Sequence, residues 1–277
     1  VTSGDNEKGR RYFQGSKSLL LTVGAGVLIT LLIIFILTPI LGLFFRIPPE
    51  LFIASLSDPI VWNALLLSLV TATISTLIII LVGTPVAWIN ARHRYPGREL
   101  VDTLIDLPLV LPPTVAGLAL LMAFGRMGLI GGIFFDYGIS IAFTTLAVVI
   151  AQIFVSIPFY IRQARVSFEQ LDTMYEHAAK SLGSTPVSTF FTVILPLVKA
   201  GLIGGAIMSF ARALGEFGAT IMFAGNFQGR TQTMPLAIYT AMQGDLIASL
   251  TLSVILIIIS FIVIALVKFR LRGYAER

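Results

Sequence analysis

Residues 19–45 read LLLTVGAGVLITLLIIFILTPILGLFF, a run that is apolar on every face of a helix. A helix of a soluble domain keeps a polar face toward water, and a strand of a spanning barrel alternates in short segments. Neither pattern is present. A bilayer fits, because its hydrocarbon core, about 30 Å thick, is crossed by ~20 apolar residues in a helix whose backbone groups satisfy one another.

The rest of the chain repeats the signal. Residues 18–45, 59–91, 107–125, 137–161 and 246–267 contain no Asp, Glu, Lys or Arg, and each is close to or above the ~18 residues that mark a span. A sixth run, from Pro196 to Gly225, is interrupted only by Lys199, Arg212 and Glu216. The 277 residues are 56% hydrophobic and 12% charged, against roughly 25% charged in a soluble domain. The expectation is an all-α polytopic membrane protein with six transmembrane helices. Its parts are a tail over 1–17, a membrane domain over 18–269 with a polar loop at 162–195, and a basic tail over 270–277. The stretch YFQGS at 12–16 resembles an expression-tag scar, and residues 1–16 carry no functional weight.

Several chemistries are excluded at this level. The chain has no cysteine, so it has no disulfide framework, thiolate metal site or cysteine nucleophile. Its two histidines, His93 and His177, are far apart and form no ligand cluster, so neither a metal site nor a catalytic residue is expected. The first apolar run is far longer than the ~7–15 residue core of a signal peptide, which makes it a retained anchor.

The net charge of +5 does not imply nucleic acid, because its placement follows topology. With six spans and both termini cytoplasmic, fifteen Lys and Arg residues fall on the inner side. Only Arg46, Arg126 and Arg230 fall on the outer side, and Arg212 lies within a helix. That asymmetry obeys the positive-inside rule.

The spacing predicts helices over about 18–45, 60–90, 141–161, 197–222 and 246–267. Pro39 is placed to kink the first, Gly83-Thr84-Pro85 weakens the second, and Ser57-Asp58-Pro59 starts it. The Pro48-Pro49 pair before it resists helix, and the fourth helix is expected to stop near Pro158. The remaining span, LVDTLIDLPLVLPPTVAGLALLMAF, carries Pro108, Pro112 and Pro113, so regular helix is expected only from Pro112 or Pro113. This start is either a structural kink or a transport gate. The segment between Gly225 and Asp245 reads as an outer loop.

Between the fourth and fifth spans, FEQLDTMYEHAAKSLG places Leu171, Met174, Tyr175, Ala178 and Leu182 on one side of a helix. Gly183 sits where a helix ends in a left-handed residue, and Ser184 or Thr185 can cap a second helix with Pro186 at its first position. Alanines on a short displayed helix let another backbone come close. The alternative is that the loop closes over the mouth of its own bundle.

These residues carry a resemblance. Permease subunits of binding-protein-dependent ATP-binding-cassette importers have the loop signature E-A-A, three residues, Gly, nine residues, I-x-L-P. This chain has His177-Ala178-Ala179, three residues, Gly183, nine residues, then Val193-Ile194-Leu195-Pro196. Histidine replaces the signature glutamate, and Glu176 stands one position early. ARALGEFGATIMFAGN at 211–226, GRTQTMPLAIY at 229–239 and DLPLVLPPTVAGLALL at 106–121 resemble the molybdate or tungstate permeases, with the sulfate and thiosulfate permeases less close.

The resemblance implies a type I importer permease fold in a prokaryotic plasma membrane. It implies three kinds of partner: a second copy of the chain, two cytoplasmic ATPase subunits, and an extracytoplasmic oxyanion-binding protein. It also implies that Tyr175, Glu176, His177, Ala178, Ala179, Lys180, Leu182 and Gly183 dock on the ATPase. No G-x-x-x-x-G-K-[ST] occurs in the chain, so ATP and magnesium are expected on the partner subunit and no cofactor on this one.

Arg212 and Glu216 are four apart, which puts them on one helical face where they can pair. Arg212 is about 20 Å beyond Lys199 at ~1.5 Å per residue, deep in the hydrocarbon. Either the pair neutralises itself and pins the helix, or it lines the path of a dianion together with Ser209, Gly215 and Thr220. Small residues here, Gly218 included, suit close approach between two subunits. Two other classes are open to such a chain. An ATP-independent channel or secondary transporter would use broken helices at mid-membrane. An intramembrane enzyme would need reactive groups, and Asp102 and Asp106 have no histidine beside them.

Overall fold

The computed structural model describes the backbone of residues 4–275 and the side chains of 23–265 and Phe269. Residues 1–3 and 276–277, the outermost parts of the two expected tails, lie outside the described residues. The chain divides into two compact units, the first ending at Glu50 and the second beginning at Leu51.

The first unit is built on α1 (Gly4–Phe44), whose segment Val23–Phe44 is long and apolar enough to cross a membrane. Most of the expected amino-terminal tail is helix continuous with this span. Pro39 lies inside α1 without ending it. A short helix, α2 (Pro49–Ser55), then starts at the second proline of the pair that was expected to resist helix. A proline at the first helical position gives up an N–H that has no intrahelical partner anyway.

In the second unit, α3 (Pro59–Arg92) is capped by Asp58, whose carboxylate accepts from the Ile60 N–H at 2.8 Å. It runs through Gly83-Thr84-Pro85 unbroken. Gly83 is instead a packing position, since a Cβ there would stand 2.8 Å from the Tyr160 ring. The proline-rich span is two helices, α4 (Arg98–Val110) and α5 (Pro113–Phe124), bent by 116°. Helix therefore starts well before Pro112, contrary to expectation. The break falls at Leu111, held extended by the proline after it, and Pro113 restarts the helix.

After the short α6 (Gly131–Asp136), α7 (Thr145–Gln170) extends past Pro158 instead of stopping there. Buried residues on both sides of Pro158 hold the helix in line. Next come α8 (Met174–Ser181), α9 (Pro186–Thr189), a π turn (Phe190–Ile194) and α10 (Leu195–Leu214). The π turn fits Pro196, which has no N–H to give the carbonyl four residues back. The fifth span was expected unbroken to 222. It ends at Leu214 and restarts as α11 (Gly218–Ala224). The expected outer loop contains α12 (Met234–Gly244), and α13 (Leu246–Ala275) closes the chain. Among the described residues five helices are long and apolar enough to span, or six where the bent pair α4–α5 counts as one span.

The central helix is α7. Its first half packs Ala147, Val148, Ala151 and Val155 against α5 and α11, and its second half packs Tyr160, Ile161, Ala164 and Phe168 against α3 and α10. In lipid there is little hydrophobic gain in helix association, so small residues and interhelical hydrogen bonds carry it. Gln152 of α7 accordingly bridges two α3 hydroxyls, donating to Thr71 Oγ1 at 3.2 Å and accepting from Ser75 Oγ at 3.0 Å. The segment expected as a loop is packed by Met234 and Ala237, which meet Val61, Ala64 and Leu65 of α3. The Met234 N–H donates to Ser68 Oγ at 2.7 Å.

A close approach that positions the site is between the two half-helices that restart after breaks. A Cβ on Gly218 would lie 2.5 Å from Pro113 Cβ, and one on Gly117 would lie 2.7 Å from the Ala219 carbonyl oxygen. Small residues here serve contact within one chain, whereas Gly218 was expected to serve contact between two. Gly218→Val should cost about 1–3 kcal/mol through overpacking. A thermal melt of the detergent-purified protein checks this, and an unchanged midpoint would deny the contact.

Candidate functional site

The displayed helix α8 is short because its ends are chemically specified. The Asp172 carboxylate accepts from the Met174 N–H at 2.8 Å at its start. At its end Gly183 adopts φ +83°, the Gly183 N–H reaches the Lys180 carbonyl and the Ser184 N–H reaches the Ala179 carbonyl, each at 3.0 Å. This pair of reversed bonds satisfies carbonyls that the helix would leave bare. Thr185 caps α9 by accepting from the Ser188 N–H at 3.3 Å, with Pro186 first in the helix. Lys180 in the last turn complements the helix dipole.

α8 has two faces. Met174, Tyr175, His177, Ala178, Lys180 and Leu182 are exposed, with Leu182 at 88%. Ala179 is buried and Glu176 nearly so. The two alanines of the signature therefore differ, Ala178 exposed and Ala179 buried. Leu171, expected on the same face as Met174, closes α7 and packs with the core of α3, α7 and α10. Glu176 is not offered outward either. Its Oε1 lies 2.8 Å from Nε of Arg92, the last residue of α3.

Beside that pair is an ion-pair cluster whose arginines, by sequence alone, mark only the orientation of the chain. Asp102 of α4 meets Arg165 of α7 at 2.8 Å and accepts from Asn90 of α3 at 2.9 Å. Asp106 takes both Nε and Nη2 of Arg162, and Glu169 lies 2.8 Å from Arg165. The Asn90 amide oxygen also accepts from the Tyr95 hydroxyl. Both aspartates weighed as possible enzyme carboxylates are thus committed to arginines. Among the described residues, no group of three His, Cys, Asp or Glu is arranged to hold a metal ion.

The second region is the α10–α11 joint. Arg212 and Glu216 do pair, Nη1 to Oε2 at 2.6 Å, although Glu216 lies beyond the end of α10 and not on its face. The carboxylate is 1% exposed and the arginine side chain 28%. The other oxygen, Oε1, accepts from the Ala219 N–H at 2.8 Å, so Glu216 also caps the start of α11. Gly215, in the break, is exposed. Ser209 is fully buried and donates to the Ser156 carbonyl of α7 at 3.0 Å, and Thr220 is fully buried in α11. Of the five residues expected on a path, the joint brings together Arg212, Gly215 and Glu216, while Ser209 and Thr220 are turned into packing.

The fold has a counterpart among solved structures. A bacterial ABC transporter involved in the import of the acidic polysaccharide alginate matches with a TM-score of 0.74 at 14% identity, over 95% of this chain and 99% of that one. This is the ABC transporter permease fold. The chain belongs to the family of binding-protein-dependent transport system inner membrane components, whose pattern matches residues 79–277. It is therefore a multi-pass inner-membrane permease subunit of an ABC importer. The molybdenum transport system permease protein ModB of Mycobacterium tuberculosis is 43% identical over 232 residues, 84% of this chain and 88% of the relative. The sulfate transport system permease protein CysT of Salmonella typhimurium is 39% identical over 187 residues, 68% of each chain.

Proposed function

We propose that this chain carries a tetrahedral oxyanion, molybdate or tungstate, across the membrane as the permease of an ATP-driven importer. The observation that carries the choice of cargo is the 43% identity over 84% of the chain to a molybdenum permease. Geometry supports it with one partly exposed guanidinium, that of Arg212, at the joint between two half-helices. A planar fork of N–H donors suits oxyanion oxygens, and the buried Glu216 neutralises it at rest. Sulfate or thiosulfate is the second reading, favoured by the 39% identity to a sulfate permease.

Two copies of the chain form the path, with both termini and α8 on the cytoplasmic side, two ATPase subunits below and an anion-binding protein outside. ATP and magnesium belong to the ATPase subunits, and the cargo is the ligand of this chain. The docking face is Tyr175, His177, Ala178 and Leu182 with Met174 and Lys180 at its edges. Gly183 ends the helix so that this face stands clear.

The test is copurification. A soluble ATPase subunit should come down with the chain, and its ATP hydrolysis should rise when molybdate-loaded binding protein is added. A chain that moves anion with no ATPase subunit would instead be a channel or secondary transporter. Ala178→Trp, which fills exposed space, should abolish copurification while leaving the melting midpoint of the chain alone. Gly183→Val should fray the end of α8 at a cost of about 1–2 kcal/mol for forcing a side chain into the left-handed region. If ATPase subunits still bind the Ala178→Trp protein, the docking face is elsewhere.

A further inference from the structure

The negative charge nearest the docking signature is spent inside the chain. Glu176 Oε1 and Arg92 Nε are 2.8 Å apart, with the two side chains only 15% and 11% exposed. The same guanidinium donates through Nη2 to the Leu171 carbonyl at 2.8 Å, at the end of α7. One arginine at the end of α3 thus holds α7 by a hydrogen bond and α8 by charge, since Nε and Oε1 are close but not aligned as a hydrogen bond. On α8 the next turn of the same face is Ala179, which is buried, and the helix packs on α9 and on the π turn that leads into α10. Two residues before Arg92, Asn90 donates to Asp102 of α4, and Asp102 in turn pairs with Arg165 of α7. The ends of α3, α4, α7 and α8 are thereby linked through charged and amide groups, several of them nearly buried, where such links resist sliding more than exposed pairs do.

We propose that the Arg92–Glu176 pair is a coupling strut: it positions α8 on the ends of α3 and α7, so that a push on α8 from a docked partner moves those spans as one body. Glu176 is then a positioning residue for transport and not part of the surface the partner touches. The proposal rests on the reading of α8 as the docking helix. Without the pair, α8 still presents Tyr175, Ala178 and Leu182 to the partner, but its motion is taken up at the hinge residues Leu171 to Thr173 before it reaches the bundle.

The readout is anion transported per ATP hydrolysed, measured in proteoliposomes holding the permease, its ATPase subunits and molybdate-loaded binding protein. Glu176→Gln and Arg92→Gln each leave a buried charge without its partner. Each should keep ATPase copurification and hydrolysis within about twofold of the unaltered complex, while the transport ratio falls at least about tenfold. The reversed pair, Arg92→Glu with Glu176→Arg, should restore most of the ratio. It also decides the question by the same measurement if the single variants give no assembled complex. A normal ratio in Glu176→Gln overturns the strut, as does a reversed pair that assembles but stays uncoupled. Loss of ATPase copurification in Glu176→Gln alone would make the residue part of the docking surface and overturns it too. Failure of the unaltered chain to bind any ATPase subunit defeats the reading of α8 itself, which is a different result.

Discussion

Glu216→Ala is expected to lower the stability of the folded chain by about 3 kcal/mol, the lower end of the cost of breaking a buried ion pair. The carboxylate is 1% exposed and has two duties. It holds Arg212 at 2.6 Å and accepts from the Ala219 N–H at 2.8 Å where α11 begins. Alanine leaves a guanidinium without its counter-charge and a helix start without its acceptor. The 28% exposure of Arg212 lets solvent recover part of the loss, which is why the lower end applies. Glu216→Gln separates the duties, because the amide oxygen can still cap Ala219 while its NH2 faces the arginine. The Gln variant should melt between the other two proteins. Equal midpoints for all three, followed by tryptophan fluorescence in detergent, would show that the joint does not depend on this carboxylate.

Arg212→Ala should abolish anion uptake while the ATPase subunits still copurify. Two effects act in the same direction. The fork of donors is gone, and the buried Glu216 carboxylate then faces the cargo uncompensated, repelling a dianion. Arg212→Lys keeps the charge but loses the planar fork, so uptake should persist with the apparent KM raised about tenfold, a difference of roughly 1.4 kcal/mol. Radiolabelled molybdate uptake at several concentrations measures both variants. Unimpaired uptake by Arg212→Ala would remove the residue from the path and leave the pair a purely structural pin.

The contrast between α8 and the α10–α11 joint explains how much was legible beforehand. The end of α8 was readable because Gly183, Thr185 and Pro186 act on their own backbone, through a positive φ, a side-chain cap and a fixed φ. The Arg212–Glu216 pairing was readable from its spacing, yet the helix break between the two residues was not. Gly215 alone does not demand a stop; the stop arises because Gly218 must reach Pro113 and the carboxylate must reach Ala219. Prolines misled in the opposite sense. Pro85 and Pro158 sit inside continuous helices whose neighbours hold them, whereas Pro112 breaks its span because it forces Leu111 to be extended.

Arg92 had no signal in the sequence beyond its sign. It stood in a basic turn and counted toward orientation, and nothing in its spacing pointed to Glu176. The sequence by itself determined that this is a helical membrane protein with six spans, where α8 stops, and the signature that α8 carries. Those follow from residue-by-residue transfer into lipid and from local backbone chemistry, which need no knowledge of the rest of the chain. Only the tertiary structure decided that Ala178 is exposed and Ala179 buried, that Glu176 belongs to Arg92, and that Glu216 joins two half-helices. A charged group held away from water takes whichever partner packing brings within reach, and packing brings together residues that are distant in the chain.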